Sequence, residues 1–303
     1  MLEVQSPLSA ASSPLCSLGL YTGRVVGSVV GRPRELAAIE QELEAVERGL
    51  TCLTLEGEPG IGKTRLLLAI EEMTRARGFM PIAVTADEEI RGPFLLARSV
   101  FACPMISDLH SPEVQQAVEK VTNALTNQDD PGLVNLQPDQ KLLRIFDLAA
   151  LALRLLAQEH PIALIIDDLQ WADGDSLRLL RYVARVDAAS RILFVLAIRP
   201  AEMAFVNEAV TLLADLERIG LVRRLKLSRL TQVQSSEFLQ QLFGGRIDPA
   251  SAAIMHAQAE GVPFVLAEQA HAYRDSGLIH QIEGNWTLAT NAERLLPSAQ
   301  SGR

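Results

Sequence analysis

One segment of the chain combines glycines, a lysine and a threonine at a spacing that suits the binding of phosphate groups. It reads GEPGIGKT and matches the pattern G-x-x-x-x-G-K-S/T, known as Walker A. Glycines let the backbone curl so that successive N–H groups point inward at phosphate oxygens, and a helix that begins near Lys63 adds the positive end of its dipole. The residues of this predicted phosphate-binding loop are Gly57, Glu58, Pro59, Gly60, Ile61, Gly62, Lys63, Thr64 and Arg65.

Two residues of the loop have predicted roles of their own. Lys63 would reach the β- and γ-phosphates of a nucleotide and assist catalysis, and the Thr64 hydroxyl would be a ligand of Mg²⁺. The pattern therefore predicts ATP and Mg²⁺ as the bound ligands. The alternative is an ordinary glycine-rich turn. The position between a predicted strand and a predicted helix favours the phosphate-binding loop, which needs both.

A second candidate, typical of Walker B segments, is a pair of acids at the end of an apolar segment. The sequence ALIIDD places Asp167 and Asp168 at the carboxyl end of a predicted strand, where a Mg²⁺–ATP site needs carboxylates. Asp167 would hold the metal through a water molecule, and Asp168 would orient or deprotonate the attacking water. Either acid could instead cap the following helix, although Asp173 and Asp175 are better placed to do so.

Two further positions could contact the nucleotide. Arg199 ends the next apolar strand, so it would lie beside Asp167 and could sense the γ-phosphate in a catalytic role. A surface arginine is the alternative. Residues 261–264, which read GVPF, interrupt a helical region and could bring that region against the nucleotide. A plain turn between two helices is equally compatible with this segment.

Alternating strands and helices would position these residues. Strands are predicted at residues 51–56, 80–86, 161–166 and 192–198, with a short strand near 225–227. Helices are predicted at residues 36–46, closed by a left-handed Gly49, and at 63–77, 142–159, 177–186 and 208–218. The mixed, polar residues 104–138 receive no assignment. Strands that are apolar throughout and separated by helices indicate a parallel sheet with both faces covered.

The pattern changes near Thr231 from alternating strands and helices to mainly helices. Thr231 and Gln234 are spaced as a capping box, Asp248 and Pro249 as a cap and first turn, and residues 278–288 as a small hairpin. The predicted fold class is α/β, a P-loop NTPase with a central, mostly parallel sheet flanked by helices, followed by a small helical lid domain. The predicted domains are a flexible leader at residues 1–27, the α/β domain at 28–229 and the lid at 230–303.

The composition fits a globular protein without an extended surface for nucleic acid. The 303 residues are 48% hydrophobic and carry 28 basic against 37 acidic side chains, a net charge of −9. This excludes a largely disordered chain and argues against a basic coat for DNA, so phosphate binding would be local. Three scattered cysteines, no apolar run of about 18 residues and no signal peptide favour the cytoplasm without membrane contact. Trp171 and Trp286 are interpreted as packing residues.

Together these residues resemble the STAND class of P-loop ATPases, a signalling branch related to AAA+ proteins. The sequence is similar to the ATPase modules of large LuxR-type transcriptional regulators and to those found beside bacterial nucleotide cyclase domains. The matching pieces, in chain order, are residues 30–36, the loop at 57–64, the segment DDLQWAD at 167–173, Arg199 with Pro200, and residues 261–264.

The resemblance implies further roles and one difference in organisation. It implies that Gly31 and Arg32 lie near the adenine, that Arg199 is a nucleotide sensor, and that Pro263 links the helical domain to the nucleotide. The family usually has asparagine where this chain has Val262. It normally continues into a winged-helix domain, followed by sensor repeats or a DNA-binding helix-turn-helix. This chain ends at residue 303, so we expect an ATPase module without its output domain, which is an isolated module, a truncated gene product or an excised fragment.

These observations predict an ATP-binding signalling module that hydrolyses ATP slowly as a conformational switch, within a transcriptional regulator or signal transducer. The expected partners are ATP and ADP, and either another protein or a second copy bound through missing or neighbouring domains. Direct DNA binding is not expected, because the sequence has neither a helix-turn-helix pattern nor a basic stripe. Two alternatives stay open: a LuxR-type regulator that binds DNA in its own right, and a P-loop kinase that acts on a small molecule.

Overall fold

The computed structural model of the protein describes residues 29–90, 92–107, 111–126, 135–203, 207–282 and 284–289. These residues form two compact units. The first unit consists of the described parts of Ala38–Glu56 and Leu67–Leu225, and the second of those of Val26–Ala37, Gly57–Leu66 and Lys226–Arg303. The predicted leader at 1–27 and the last residues of the predicted lid, 290–303, lie outside the described residues. The domain boundary at residue 229 stays a prediction.

The first unit is built on a five-stranded sheet. Its strands are β1 (Thr51–Glu56), β2 (Met80–Thr85), β3 (Ile162–Asp167), β4 (Ile192–Ile198) and β5 (Val222–Lys226). They lie in the order β2-β3-β4-β1-β5, and the pairs β2 with β3, β3 with β4 and β4 with β1 are parallel. Every residue of β3 and β4 is buried, as expected for a parallel sheet covered by helices. The predicted central, mostly parallel sheet is therefore confirmed.

Helices connect these strands, as the alternating pattern predicts. The helix that precedes β1 is α1 (Pro33–Ala45), and those that follow it in the chain are α2 (Lys63–Ala76), α3 (Leu95–Phe101), α4 (Pro104–Ser107), α5 (Pro112–Thr126), α6 (Pro138–Glu159), α7 (Gly174–Val186), α8 (Pro200–Met203) and α9 (Asn207–Arg218). None of the helices in the described ranges combines the length and the apolar character needed to cross a lipid bilayer.

Helix α5 is the largest difference from the predicted elements, because it lies in a region that received no assignment. This region contains Pro104, Pro112 and Pro138, and each is the first residue of a helix, where a missing N–H costs no hydrogen bond. Helix α5 packs against α6. Its buried residues recur at helical spacing and are Val114, Ala117, Val121, Ala124 and Leu125.

The end of α1 differs from the prediction in its geometry. The predicted helix is confirmed, and its apolar residues Ile39, Leu43 and Val46 are buried. However, α1 continues into a 3₁₀ turn at Val46–Arg48, and Gly49 has φ 136° and ψ −169°, outside the left-handed helical conformation. The Gly49 N–H bonds to the Val46 carbonyl at 3.0 Å and closes the 3₁₀ turn. Glycine is still required, because a methyl group there would collide with the Ala188 carbonyl oxygen.

The second unit contains three helices and a small sheet. The helices are α10 (Gln232–Phe243), α11 (Pro249–Ala259) and α12 (Pro263–Asp275), and the strands are β6 (Arg246–Ile247), β7 (Ile279–Ile282) and β8 (Asn285–Leu288). The strand order is β6-β8-β7, and β7 pairs with β8 antiparallel, which confirms the predicted hairpin. Strand β6, parallel to β8, was not predicted because two residues are too few to show a period.

Both predicted capping signals of the second unit are confirmed. The Thr231 hydroxyl accepts the Gln234 N–H at 3.3 Å, and the Gln234 side chain accepts the Thr231 N–H at 2.9 Å. Asp248 accepts the Ser251 N–H at 2.9 Å at the start of α11. The helices and the small sheet enclose a separate apolar core that includes Leu239, Met255, Leu266, Ala270 and Tyr273.

Candidate functional site

The segment GEPGIGKT forms a tight loop that follows β1 and leads into α2, as the sequence predicts. Gly60 and Gly62 have positive φ angles of 77° and 100°, which favour glycine at both positions. At Gly57 a side chain would clash, because a Cβ atom there would lie 2.7 Å from Ile61 Cγ2. These glycines therefore permit the curl that gathers backbone N–H groups around an anion.

Lys63 is held inside this loop. It is the first residue of α2 and only 6% of its surface is exposed. Its Nζ donates to the carbonyl oxygens of Gly57 at 2.8 Å and Glu58 at 3.1 Å. Thr64 is the second residue of α2, so it lies in the first helical turn. The ammonium group and the amino end of α2 together give the loop the positive potential that phosphate binding needs.

The turn between α11 and α12 contacts the loop within the second unit. The Phe264 N–H donates to the Gly60 carbonyl at 3.1 Å. A Cβ atom on Gly60 would lie only 3.0 Å from Phe264 Cβ and 3.3 Å from Val262 Cγ1. Pro263 is the first residue of α12. Residues 261–264 are therefore more than a turn between helices, and the contact with the loop is made by Phe264. A contact of Pro263 with nucleotide stays a prediction.

A second main-chain contact fixes the same turn. Glu260 and Gly261 have φ angles of 49° and 73°, and the Gly261 carbonyl accepts the Leu230 N–H at 2.8 Å. A methyl group at Gly261 would collide with the Leu230 carbonyl oxygen. The glycine is therefore required both for its backbone conformation and for this close approach.

Arg32 binds main-chain carbonyls of the loop and of the segment before α10. Its Nη2 donates to the Ser228 carbonyl at 2.6 Å and the Ile61 carbonyl at 3.3 Å. The neighbouring Gly31 carbonyl accepts the Gln234 side-chain amide at 2.8 Å. Arg32 is 6% exposed, so it acts as a buried link between three segments of the second unit. The implied nearness of Gly31 and Arg32 to adenine stays a prediction.

Sequence reasoning missed an ion-pair cluster beside the loop. Arg229 donates to both Glu58 carboxylate oxygens at 2.6 and 2.9 Å and to Glu260 at 2.6 Å. The hydrogen bonds from Arg229 hold the pKa of Glu58 below its usual value, and the bonds to Glu58 and Glu260 raise the pKa of Arg229. No local pattern could have revealed the cluster, because its members lie far apart in the sequence.

In the first unit, two acids mark the end of β3. Asp167 is the last residue of the strand, is 4% exposed, and accepts the Asp168 N–H at 2.9 Å. Asp168 has φ 52° and ψ 47°, a left-handed conformation that is uncommon for a residue other than glycine and is found at functional sites. It precedes the 3₁₀ turn Leu169–Trp171, but its carboxylate makes no capping bond there.

Arg199, directly after β4, binds Asp168. Its Nη2 lies 3.1 Å from Asp168 Oδ1 and 3.3 Å from Oδ2, and its Nη1 donates to Glu202 at 3.2 Å. Gln170 donates to Asp168 Oδ1 at 2.8 Å, and the Arg199 Cζ lies 4.6 Å from the centre of the Trp171 ring. Arg199 is therefore part of a network and not a lone surface arginine. Trp171 packs against the core, as interpreted from sequence, and also covers Arg199.

Glu56 is a further buried acid at this edge of the sheet, and sequence reasoning missed it. It ends β1, lies level with Ile198 of β4, and is 4% exposed. Its Oε1 accepts Arg224 Nη1 at 2.9 Å. The available signal was an acid at the end of an apolar strand, the same signal that singled out Asp167.

Asp173 caps α7, as predicted. It accepts the Ser176 N–H at 2.9 Å and the Ser176 hydroxyl at 2.7 Å. It also accepts the N–H groups of Phe94 at 2.9 Å and Leu96 at 3.1 Å, which attaches the turn to α3. Asp175 lies in the first turn of α7 and is not its cap, which corrects that part of the prediction.

The predicted metal ligands carry oxygen donors, the kind of group that Mg²⁺ prefers. In the part of the chain that the structure describes, no group of three or more His, Cys, Asp and Glu side chains is arranged to hold a metal ion. Mg²⁺ beside a nucleotide takes one or two carboxylates, waters and phosphate oxygens. Thr64 and Asp167 offer the hydroxyl and carboxylate oxygens that this cation prefers.

The parallel sheet and its GEPGIGKT loop define a P-loop ATPase domain. The chain belongs to the AAA ATPase domain family, whose sequence profile matches residues 28–195, more than half of the chain. A curated relative, an uncharacterized protein of Rhizobium meliloti (strain 1021), is 28% identical over 206 residues. This match covers 59% of the present chain and 19% of the relative, so the chain spans a small part of the relative's length.

Solved structures with a distant likeness include the three that follow. A mutant of RuvB from Thermotoga maritima has 14% identity and a TM-score of 0.47, covering 81% of this chain and 63% of that chain. A STAND protein with a tetratricopeptide repeat sensor from Pyrococcus horikoshii has 17% identity and a TM-score of 0.45, and the match covers 86% of this chain and 31% of that chain. AMPPCP-bound DnaA from Aquifex aeolicus has 14% identity and a TM-score of 0.46, and the match covers 82% of this chain and 64% of that chain.

Proposed function

We propose that the chain is an ATP-binding signalling module of the STAND class. Bound ATP with Mg²⁺ and bound ADP would stabilise different conformations, and slow hydrolysis would reset the module. The observation that carries the proposal is the hydrogen bond from Phe264, in the first turn of α12, to Gly60 of the GEPGIGKT loop. A ligand that reshapes the loop would therefore act directly on the helical region of the second unit.

The loop residues would bind the phosphates. Backbone N–H groups of residues 57–65 would surround the phosphate oxygens, and the Lys63 ammonium would exchange its bonds to the Gly57 and Glu58 carbonyls for bonds to the β- and γ-phosphates. The space beside Gly62 is open, since a Cβ atom there would meet nothing within 4 Å. Gly31, Arg32 and Pro263 would contact the adenine side of the nucleotide.

Thr64 and Asp167 would hold Mg²⁺, the former directly and the latter through a water molecule. Asp167 is a buried carboxylate, and a nearby cation lowers the cost of burying such a charge. When bound, Mg²⁺ neutralises charge on the phosphates. The chain's own contribution is to fix the oxygen donors.

Asp168 and Arg199 would set the rate of hydrolysis. The Asp168 carboxylate is bound by Arg199 and Gln170, so it is not free to orient or deprotonate a water molecule in this conformation. The γ-phosphate of ATP is the group that would compete for the Arg199 guanidinium. Hydrolysis would then require Arg199 to release the Asp168 carboxylate, which supports a slow rate.

The wider role rests on sequence segments that resemble the STAND class, namely residues 30–36, 167–173, 199–200 and 261–264. They support a module of a transcriptional regulator or signal transducer, for which we propose a cytoplasmic location. Its partner would be another protein or a second copy of this chain. We expect no specific DNA binding by these 303 residues alone, because their net charge is −9.

Calorimetric titration with ATP in the presence of Mg²⁺ tests nucleotide binding. Lys63→Ala removes the ammonium group from the loop and should weaken binding by at least about tenfold. Lys120→Ala, on the exposed face of α5, is the matched control and should bind as the wild type does. Wild-type affinity in Lys63→Ala would refute the proposal. Removal of Mg²⁺ with EDTA should also weaken ATP binding.

Hydrogen exchange tests the switch separately from binding. Amides in the first turns of α12, near Phe264, should differ in protection between the MgATP and MgADP complexes. Identical protection, with both nucleotides bound, would contradict the switch and leave nucleotide binding intact.

A further inference from the structure

Gln170 connects the two chain segments that meet at the Asp168–Arg199 pair. It is 4% exposed. Its Nε2 donates to Asp168 Oδ1 at 2.8 Å, and its Oε1 accepts the Arg199 N–H at 3.3 Å. One buried amide thus holds the turn after β3 and the chain after β4. Such a link resists displacement, because breaking it leaves buried polar atoms without partners.

Trp171 covers one face of the Arg199 guanidinium. The 4.6 Å separation between Arg199 Cζ and the ring centre is within the range of a cation–π contact. Trp171 itself packs against the core of the first unit, so its ring is a fixed surface. Stacking orients the guanidinium plane without using its hydrogen-bond donors. Arg199 Nε is buried and has no hydrogen-bond partner among the described residues.

We propose that Gln170 and Trp171 are positioning residues that hold the Arg199 guanidinium ready for the terminal phosphate of ATP. Through Arg199 they let the chain distinguish ATP from ADP. The inference rests on the proposed function, because it requires an ATP site. ADP lacks the γ-phosphate, so a loss of positioning weakens ATP binding and leaves ADP binding unchanged.

Titration of the full chain with MgATP and with MgADP tests this inference. Trp171→Leu removes the ring and should weaken MgATP binding about fivefold at unchanged MgADP affinity. Trp171→Phe keeps an aromatic face and should retain most of the wild-type preference for ATP. Gln170→Leu keeps a similar size without the amide and should lower the preference in the same direction as Trp171→Leu.

Trp286→Leu is the matched control for the loss of a tryptophan. Trp286 stacks on Phe243 in the second unit, with 5.0 Å between ring centres. Its loss should leave the ratio of the two affinities unchanged. Equal losses of MgATP and MgADP affinity in Trp171→Leu would show a structural role only and overturn the proposal. A wild-type ratio in that variant, or the same shift in Trp286→Leu, would also overturn it.

Fluorescence provides a measurement that keeps Trp171 in place. The chain has two tryptophans, so Trp171 is the sole one in Trp286→Phe. Its emission should change when the γ-phosphate of saturating MgATP binds the Arg199 guanidinium against the ring and should not change with saturating MgADP. Adding Arg199→Ala should remove this difference. Identical emission with both nucleotides in the Trp286→Phe variant would contradict the proposal.

Lys63→Ala distinguishes failure of this inference from failure of the proposed function. If Lys63→Ala binds both nucleotides like the wild type, the proposed function fails, and the inference fails with it. If Lys63→Ala loses both nucleotides while Trp171→Leu keeps the wild-type ratio, the inference alone fails.

Discussion

Two regions that could serve nucleotide chemistry are held in shape by different kinds of contact. In the phosphate region, residues 57–64 with 260–264, the acceptors are main-chain carbonyls: Gly60 accepts the Phe264 N–H, and Gly261 accepts the Leu230 N–H. In the acidic turn, residues 167–173, side chains make the contacts. Asp168 accepts a hydrogen bond from Gln170, and Asp173 accepts two from Ser176.

The difference shows that each region depends on a different feature of the sequence. A main-chain contact needs a particular backbone conformation and space for close approach, so the conformation of the phosphate region depends on its glycines. A side-chain contact needs specific functional groups, so the conformation of the acidic turn depends on aspartate, glutamine and arginine side chains. Substitutions that change backbone freedom or a functional group should therefore affect the two regions differently.

The largest effect is expected for Gly261→Ala in the phosphate region. Gly261 has φ 73°, and a methyl group there would also collide with the Leu230 carbonyl oxygen. We expect a loss of about 3 kcal/mol in the free energy of unfolding. The matched control is Gly277→Ala, at φ 69° with nothing within 4 Å of a Cβ atom, which should cost about 1 kcal/mol. Urea unfolding measures both, and equal losses would show that close approach is unimportant.

An intermediate effect is expected for Asp173→Ala in the acidic turn. Asp173 accepts four hydrogen bonds, including those from Phe94 and Leu96. Its loss should cost about 2 kcal/mol in the free energy of unfolding. Asp175→Ala, two residues away, removes only a partly exposed ion pair at 3.6 Å from Arg178 and should cost less than about 0.5 kcal/mol. Similar chemical denaturation curves for the two variants would contradict this assignment.

The smallest effect is expected where an exposed side-chain contact joins the phosphate region. Arg229 holds the pKa of Glu58 below its ordinary value of 4.5. This stabilisation is present above that value and is lost as the pH falls through the lower pKa of the folded state. Arg229→Gln should therefore lower the melting temperature slightly at pH 7, and the difference should shrink as the pH falls below 4.5 or as salt is added.

Arg274→Gln is the matched control for this pH dependence. Arg274 is exposed to the same degree as Arg229 and lies 3.9 Å from its nearest acid, Asp275. The melting temperature of the Arg274→Gln variant should follow that of the wild type across the same pH range. The same pH dependence in both variants would show that the Glu58–Arg229 contact does not contribute.

Local patterns predicted most of the central sheet. The strand at residues 192–198 is found at the predicted bounds, and the loop lies between the predicted strand and helix. Apolar runs and glycine spacing are local signals, so they do not depend on distant residues. Helix α5 was missed because its region is mixed and polar and contains several prolines, although Pro112 begins the helix. A proline's effect depends on its position within a helix, which periodicity alone did not fix.

The candidate site shows the same limit. Lys63, Asp167 and Arg199 were singled out because each ends or begins a recognisable element. Gln170 was not singled out, because its two hydrogen-bond partners follow different strands of the sheet. Arg229 was not singled out either, because its partner Glu58 lies 171 residues away in the chain. Contacts of this kind have no period or spacing that a sequence can display.

The sequence by itself determined the alternating architecture, the phosphate-binding loop and the acids at the end of β3, because local propensity and burial encode all three. Only the tertiary structure decided which groups these residues bind. Arg32 binds carbonyls of Ile61 and Ser228, and Arg199 binds Asp168. The physical reason is that the sequence specifies donors and acceptors, whereas folding selects their partners by bringing distant segments within hydrogen-bonding distance.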